Sequence, residues 1–479
     1  MRRIERDNST RKLISLFAGA GGLDIGLELA GFEARVINEF APYACETLRV
    51  NQKIGALSDE EFDHWFRAQS KQKCYKGSSE DDLASLKNRI RPPSNRRPYM
   101  KDAVIVEDDI RRLSSEMLLS LAESAAGEIF LVAGGPPCQP FSRAGKRQSV
   151  EAEDGRLFLE FVRVVEDVRP RWFLFENVKG LILTKTDVVS GSCKHCYLNW
   201  TVSFEERLSH LGGLPLSSSC PKCQSVEVEM TTNRVAGGTL DIILGEFEAL
   251  GYECHSTILN AADFGTPQLR ERLIIVGSRD HERFQWPYPT HQNARARKAP
   301  TLFESAITPE WRGIGDALWS NGHPAYGQLD RDKAVLWVKN VVRPHDEPVT
   351  WPLNRPSPTI GAHQAAKLAL APFGVPAEQL ARQQWHTLGR RQRDLPKVFV
   401  EHRYLSDDEL LKLQTFPESW YLFGTRMQRA AQIGNAVPVV LAAALGGAIL
   451  AACSTDSFQR DHSVPPIGKT DEHLASVHG

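Results

Sequence analysis

A chain of 479 residues is long enough for two or three packed domains, and its 42% apolar and 24% charged residues place it among ordinary globular proteins. The formal net charge of −1 excludes a uniformly basic nucleic-acid-binding chain, so any polyanion site has to be a local patch. Nine cysteines, with a charged stretch rather than a signal peptide over Met1–Lys12, predict a reducing compartment and argue against disulfides.

Leu13–Phe17 reads as a strand, followed by the turn Ala18-Gly19-Ala20-Gly21-Gly22 and a helical pattern ending at Gly31. Phe32–Asn38 is the next strand, with Glu39 at its end, 20 positions after Gly19. This is a βαβ opening whose glycines let a ligand approach the backbone and whose carboxylate suits two ribose hydroxyls. The last glycine of a dinucleotide fingerprint is replaced by Asp24, which fits a nucleoside ligand with no pyrophosphate to cradle. Asn51–Lys101 is polar and proline-bearing and reads as an insertion or flexible excursion, with Lys71, Lys73, Lys76, Arg96 and Arg97 solvated or available to phosphates. Ala103–Val106 resumes as a strand with Asp108-Asp109-Ile110 at its tip.

The apolar run Ile129–Ala133 reads as a buried parallel strand, which Gly134-Gly135-Pro136-Pro137 stops abruptly. Cys138 is thereby presented on a stiff loop at the carboxyl end of a strand, where α/β sheets place their ligands and where a thiolate can act as a nucleophile. Leu157, Phe161, Val164, Val165 and Val168 trace one helical face, and Trp172–Phe175 is a strand with Glu176-Asn177-Val178 at its tip. A strand-end carboxylate near a strand-end cysteine has the makings of a general acid beside a nucleophile.

Two C-x2-C knuckles, Cys193–Cys196 and Cys220–Cys223, then interrupt the α/β rhythm. Four thiolates at this spacing predict a structural zinc site with no open position. Leu240–Leu250 is an amphipathic helix, and Tyr252–Leu259 and Leu273–Gly277 are strands. Between those strands Arg270 and Arg272 alternate, so both guanidinium groups point to one side. From His281 to about Val400 the periodicity is poor, with an extended segment at Arg355–Gly361 and a basic cluster at Arg390, Arg391 and Arg393. Ser406-Asp407-Asp408-Glu409 is a capping box. Gln432-Ile433-Gly434-Asn435 introduces the uncharged run Ala436–Cys453, rich in Ala and Gly, which reads as a helix packed against a sheet rather than a membrane span. The residues after Ser454 have little apolar content and read as a disordered tail.

In this order, the motifs resemble those of the C5-cytosine-specific DNA methyltransferases. Phe17–Gly22 looks like the family's S-adenosylmethionine loop, Glu39 its ribose carboxylate and Asp109-Ile110 its adenine contact. Gly134–Ser142 looks like the nucleophile loop, Glu176-Asn177-Val178 the base-binding motif, and Gln268, Arg270 and Arg272 the paired-arginine motif. Arg403–Pro417 and Gln432–Val437 look like the blocks that follow the target-recognition domain.

The resemblance implies a doubly wound, Rossmann-like α/β fold. The catalytic domain would occupy residues 1–185 (with an insertion at 51–101), 236–280 and 401–453. A zinc-ribbon-like insert would occupy 186–235, an irregular target-recognition domain 281–400, and the tail 454–479. It implies catalysis by Cys138, Glu176, Arg270 and Arg272. Phe17, Ala18, Gly19, Gly21, Gly22, Glu39, Asp109, Ile110, Pro136, Asn435 and Val437 would bind S-adenosyl-L-methionine, and Cys193, Cys196, Cys220 and Cys223 a structural Zn2+. Cys138 would add to cytosine C6 while Glu176 holds the N3 edge and Arg272 the O2, with Arg270 at the same region or a phosphate. The flipped-out base, the duplex around it, a monomeric cytoplasmic enzyme and a possible cognate restriction endonuclease complete the expectation. A transfer-RNA methyltransferase, a silent DNA-binding module and a nicotinamide-dependent oxidoreductase are the rivals. The long module after His281 argues against the first, intact Cys138, Glu176 and Arg272 against the second, and the missing glycine against the third.

Overall fold

The computed structural model describes residues 11–70, 80–91, 98–137, 157–183, 185–202, 219–293, 308–318, 334–338, 349–362, 365, 368–372 and 403–454. The first strands and helices are β1 (Lys12–Leu16), α1 (Gly22–Ala30), β2 (Glu33–Glu39), α2 (Pro42–Ala56), α3 (Asp59–Gln69), α4 (Glu80–Ile90) and β3 (Val104–Glu107). They are followed by α5 (Ser115–Leu121), β4 (Leu131–Gly134), α6 (Leu157–Val168), β5 (Trp172–Val178) and α7 (Gly180–Leu183). After an inserted sheet come α8 (Gly238–Ala249), β9 (Glu253–Asn260) and β10 (Glu271–Ser278).

One seven-stranded sheet runs in the order β3-β2-β1-β4-β5-β10-β9. β10 is antiparallel to both its neighbours, while β1 to β5 pair in parallel. The strands after β1 step one way and those from β4 the other, so the order reverses between β1 and β4. The loops leaving those two strands therefore open side by side at the carboxyl edge, the place where such sheets bind ligands.

Alternation along β1 divides the interior. Leu13 faces one core with Leu23, Leu27 and Trp172, whereas Ile14 and Leu16 face the other with Phe161 and Phe247. On the second face α6 buries Phe161, Val164, Val165 and Val168 as its spacing predicts, with Phe158 and Val162 buried as well and Leu157 only partly. Phe173 stacks on Phe247 at 4.0 Å between centroids. The first face is closed by α11 (Arg426–Asn435) and α12 (Val439–Ser454). Arg426–Cys453 is long and apolar enough to cross a membrane by composition, but Leu441, Ala442, Leu445 and Ile449 are fully buried inside the protein. α12 shares this core with sheet residues Leu13, Leu131 and Leu174, as expected, and it also lies on α1, with Ala442 and Val439 against Gly26 and Gly446 against Ala30.

The stretch from Asn51 to Lys101 also departs from a flexible excursion. Asn51 belongs to α2, and α2, α3 and α4 enclose a cluster of Val50, Ile54, Phe62, Trp65, Phe66 and Ile90 with Tyr421. Ser58 caps α3 in a capping box with Glu61. Aromatics spaced along a charged helix were hidden by its polar average composition. Lys71, Lys73, Lys76, Arg96 and Arg97 lie outside the described residues.

Residues 281–400 were expected to be irregular. Phe284 instead packs on Trp172 at 6.0 Å, and α9 (Ile314–Leu318), Leu353 and Ile360 join the catalytic core. β11 (Ala334–Val338), β12 (Val349–Pro352), β13 (Ala369–Pro372) and β14 (Arg403–Tyr404) form an antiparallel sheet, order β12-β11-β13-β14. Arg390, Arg391 and Arg393, and the tail after Ser454, lie outside the described residues. The capping box at Ser406 and Glu409 opens α10 (Asp407–Leu413).

Candidate active site and cysteine cluster

At the end of β1, Phe17 takes a left-handed conformation (φ 56°), sparsely populated for a bulky residue, and turns the chain into the glycine loop. Ala18 donates its amide to Asn38 O at 3.1 Å, joining the ends of β1 and β2. Glu39 is then fixed at the tip of β2: Oε2 accepts from Gly19 N at 2.7 Å and Oε1 from Ala41 N at 2.8 Å. Asn38, buried behind it, donates to Asp108 O at 2.8 Å and so ties β2 to the β3 tip. There Asp109 caps a single 3-10 turn and pairs with Arg111 at 2.5 Å, which holds its carboxyl below the usual carboxylate range. Ile110 is buried beside it.

The glycine loop has the shape of a ligand cradle. A Cβ on Gly19 would meet nothing within 4 Å, so this position faces open space. A Cβ on Gly22 would lie 2.3 Å from Val437 O, so only glycine lets the segment between α11 and α12 come this close. Val437 and Ala436 thus stand beside the loop. Phe40, next to Glu39 and 68% exposed, was missed from the sequence. The available signal was a large apolar residue directly after the strand-end carboxylate.

Asp24 was read only as the glycine that is absent. It is fully buried in the first turn of α1, and neither carboxylate oxygen has a hydrogen-bond partner. Burial pushes its pKa up to about 6; the nearby Ser15 hydroxyl and its own amide only partly oppose this, and the charge of Glu39 adds to it.

Across the switch point, Gly135 and Pro136 leave β4 against the end of β5. A Cβ on Gly135 would stand 2.7 Å from Glu176 Oε2, and Asn177 Nδ2 donates to Pro136 O at 3.4 Å. The first turn of the cysteine loop is therefore seated on Glu176. Cys138 itself lies outside the described residues. The antiparallel register of β10 places Arg272 opposite Val178, and its Nε donates to Glu176 Oε1 at 2.8 Å. Both side chains are about nine-tenths buried, which strengthens the pair over a surface one.

Arg270 is elsewhere. It is 1% exposed, and its guanidinium donates to Ile360 O at 3.2 Å, Gly434 O at 3.0 Å and Asn435 O at 3.3 Å. Burial, with Arg272 nearby, disfavours its charge, and the three carbonyls hold it. The expectation that Arg270 meets the base or a phosphate is corrected by this geometry: alternation carried Arg272 to the cleft, but Arg270 precedes the strand and turns inward. Gln268 reinforces the same seam, accepting from Ile360 N at 2.9 Å.

The four knuckle cysteines lie at one end of a three-stranded sheet, β7-β6-β8, made of β6 (Lys185–Cys193), β7 (Asn199–Thr201) and β8 (Val228–Ala236). Their sulfurs lie within 4.8 Å of one another, with Cys193–Cys223 and Cys196–Cys220 both at 3.6 Å. These are not disulfide distances, and four thiolates 2.3 Å from one zinc would stand about 3.8 Å apart. The two knuckles repeat each other. Tyr197 N donates to Cys193 O and Gln224 N to Cys220 O, and Tyr197 and Gln224 share a left-handed φ near 60°. The Cys196 amide, aimed at Cys193 Sγ, pulls that thiol down to about 6. The donor set and spacing fit a tetrahedral zinc ion.

The C-5 cytosine-specific DNA methylase model matches residues 11–71, 99–204 and 221–451, and the chain belongs to that family. It is a DNA cytosine-5-methyltransferase, and membership implies S-adenosylmethionine as methyl donor and DNA as substrate. It is 32% identical over 308 residues to the Type II methyltransferase M.AquIA of Picosynechococcus sp., covering 64% of this chain and 88% of that one. M.BspRI of Lysinibacillus sphaericus is 28% identical over 477 residues, covering 96% and 86%. M1.HphI of Haemophilus parahaemolyticus is 27% identical over 448 residues, covering 91% and 86%. The family match omits residues 72–98 and 205–220, stretches within the α3–α4 region and the cysteine insert.

Proposed function

We propose that the chain methylates C5 of a flipped-out cytosine in duplex DNA through a covalent adduct with Cys138. The observation that carries this reading is Glu176, paired with Arg272 and packed against the Gly135 turn that leads to Cys138. The Cys138 thiolate adds to C6, breaking the C5–C6 double bond and moving its electrons toward C5 and N3. Glu176 holds the N3 and amino edge and supplies the N3 proton, and Arg272 steadies the carboxyl and reaches the O2. S-adenosylmethionine would supply its sulfonium methyl group to C5, the S–CH3 bond breaking as S-adenosylhomocysteine leaves; Glu39 would hold its ribose, Asp109 and Ile110 its adenine, and Phe17, Ala18, Gly19, Gly21 and Gly22, with Pro136, Asn435 and Val437, the rest. Phe40 offers the adenine a ring face. A base or water then takes the C5 proton, the C6–S bond breaks and Cys138 is released. Arg270 is a positioning residue, acting through the backbone of residues 360 and 434–435.

In the same reading a structural zinc ion holds the four thiolates, and the enzyme is a cytoplasmic, prokaryotic, nucleoid-associated monomer. Its relatives' designation as Type II methyltransferases supports a restriction-modification role, alone or beside a cognate endonuclease. The test is transfer of labelled methyl groups to plasmid DNA, followed by nucleoside analysis. 5-Methylcytosine is expected from the native chain and none from Cys138→Ala, which still binds DNA. Normal turnover by that variant removes the covalent route.

A further inference from the structure

The cysteine-bearing sheet has a place and a surface that its metal does not explain. β6 begins nine residues after Glu176, following α7, and β8 returns the chain to α8. The insert is therefore rooted at the catalytic edge of the main sheet. β6 and β8 pair over nine residues each, from Lys185↔Ala236 to Cys193↔Val228. At about 3.3 Å per residue this is an arm roughly 30 Å long, comparable to nine base pairs of duplex. Among the described residues its buried apolar side chains are Val189, Cys193, Val202 and Cys220, two of them the cysteines themselves. Four thiolates on one ion would fix the tip.

Charge is segregated among the described residues of the knuckle end. The knuckle loops, residues 193–198 and 219–226, carry exposed Lys194 and Lys222 with His195 and no acid. The acids among residues 189–202 and 219–232, Glu227 and Glu229, follow the second knuckle. Tyr197 at the tip is 84% exposed. We infer that the knuckle tip is a second DNA contact, in which Lys194 and Lys222 bind backbone phosphates of the duplex flanking the target cytosine. The inference rests on the DNA-methylating reading and on the metal that stiffens the tip. Rooting beside Glu176 puts the arm where the substrate duplex has to lie, and paired lysines on rigid loops suit sequence-independent phosphate contacts.

The test compares the full chain with Lys194→Glu/Lys222→Glu on a 40-base-pair mixed-sequence duplex over a range of salt concentrations, with zinc content and melting temperature measured in parallel. Two lost phosphate contacts should flatten the slope of log binding constant against log salt by about 2 and weaken binding roughly tenfold at low salt. Lys194→Arg/Lys222→Arg should keep the native slope. An unchanged slope in the Glu variant, with zinc and melting temperature retained, overturns the phosphate contact. A folded native chain without zinc overturns the stiffened tip while methyl transfer stands. Absence of methyl transfer to DNA from the zinc-loaded native chain overturns the catalytic reading instead.

Discussion

At the residue scale, the site is built from carboxylates placed in opposite environments. Glu39 accepts from two amides, and Asp109 is paired with Arg111, which favours the charged form of Asp109. Asp24 is fully buried with only the Ser15 hydroxyl and its own amide nearby, and burial pushes its pKa up to about 6. Because the folded chain holds this proton more tightly than the unfolded chain, the contribution to stability is full below about pH 4. It is lost as pH rises through 6. Asp24→Asn should therefore raise stability at pH 7 by about 2–3 kcal/mol and flatten the stability profile between pH 4 and 6, as read by urea unfolding. An equally steep profile in the variant would sink this account. Cys138→Ala, argued above, belongs to the same scale: one sulfur lost, with the binding surface left in place.

At the scale of elements, function depends on how closely helices approach. α12 lies on α1 because Gly26 leaves room: a Cβ there would stand 2.4 Å from Ala442 Cβ and 2.5 Å from Val439 O. That contact also carries Val437 to Gly22, so the glycine loop and the last helix are seated together. Gly26→Leu should force α1 and α12 apart, lowering stability by about 1–3 kcal/mol and raising the KM for S-adenosylmethionine more than it lowers kcat. A melting loss with unchanged KM would separate the packing from the site. Gln268 and Arg270 perform a similar office between β10, residue 360 and α11, where backbone carbonyls rather than side chains are the partners.

At the scale of the molecule, the main sheet has two full cores, whereas the buried apolar side chains described on the cysteine-bearing arm are Val189, Cys193, Val202 and Cys220. One zinc per chain is therefore expected by elemental analysis. Chelation should abolish protection of the β6–β8 amides in hydrogen exchange while the amides of β1, β4 and β5 stay protected. Loss of protection throughout the sheet would mean that the cysteine cluster supports the whole fold.

The βαβ opening, the strand ends that carry Glu39 and Glu176, the two knuckles and the capping box at Ser406 were legible in the sequence. All of these depend on local periodicity, turn chemistry or fixed spacing. The sequence did not determine the opposite fates of Arg270 and Arg272: alternation describes a strand, whereas β10 starts at Glu271 and Arg270 obeys the backbone preceding it. Nor did it disclose the cluster closed by Tyr421 over α2–α4, the seat of α12 on α1, or the buried, unpartnered Asp24. Each depends on which distant segment covers a given surface, and polar composition or an apolar run is silent on that. The tertiary structure decided them because burial and close approach are properties of pairs of elements brought together from far apart in the chain.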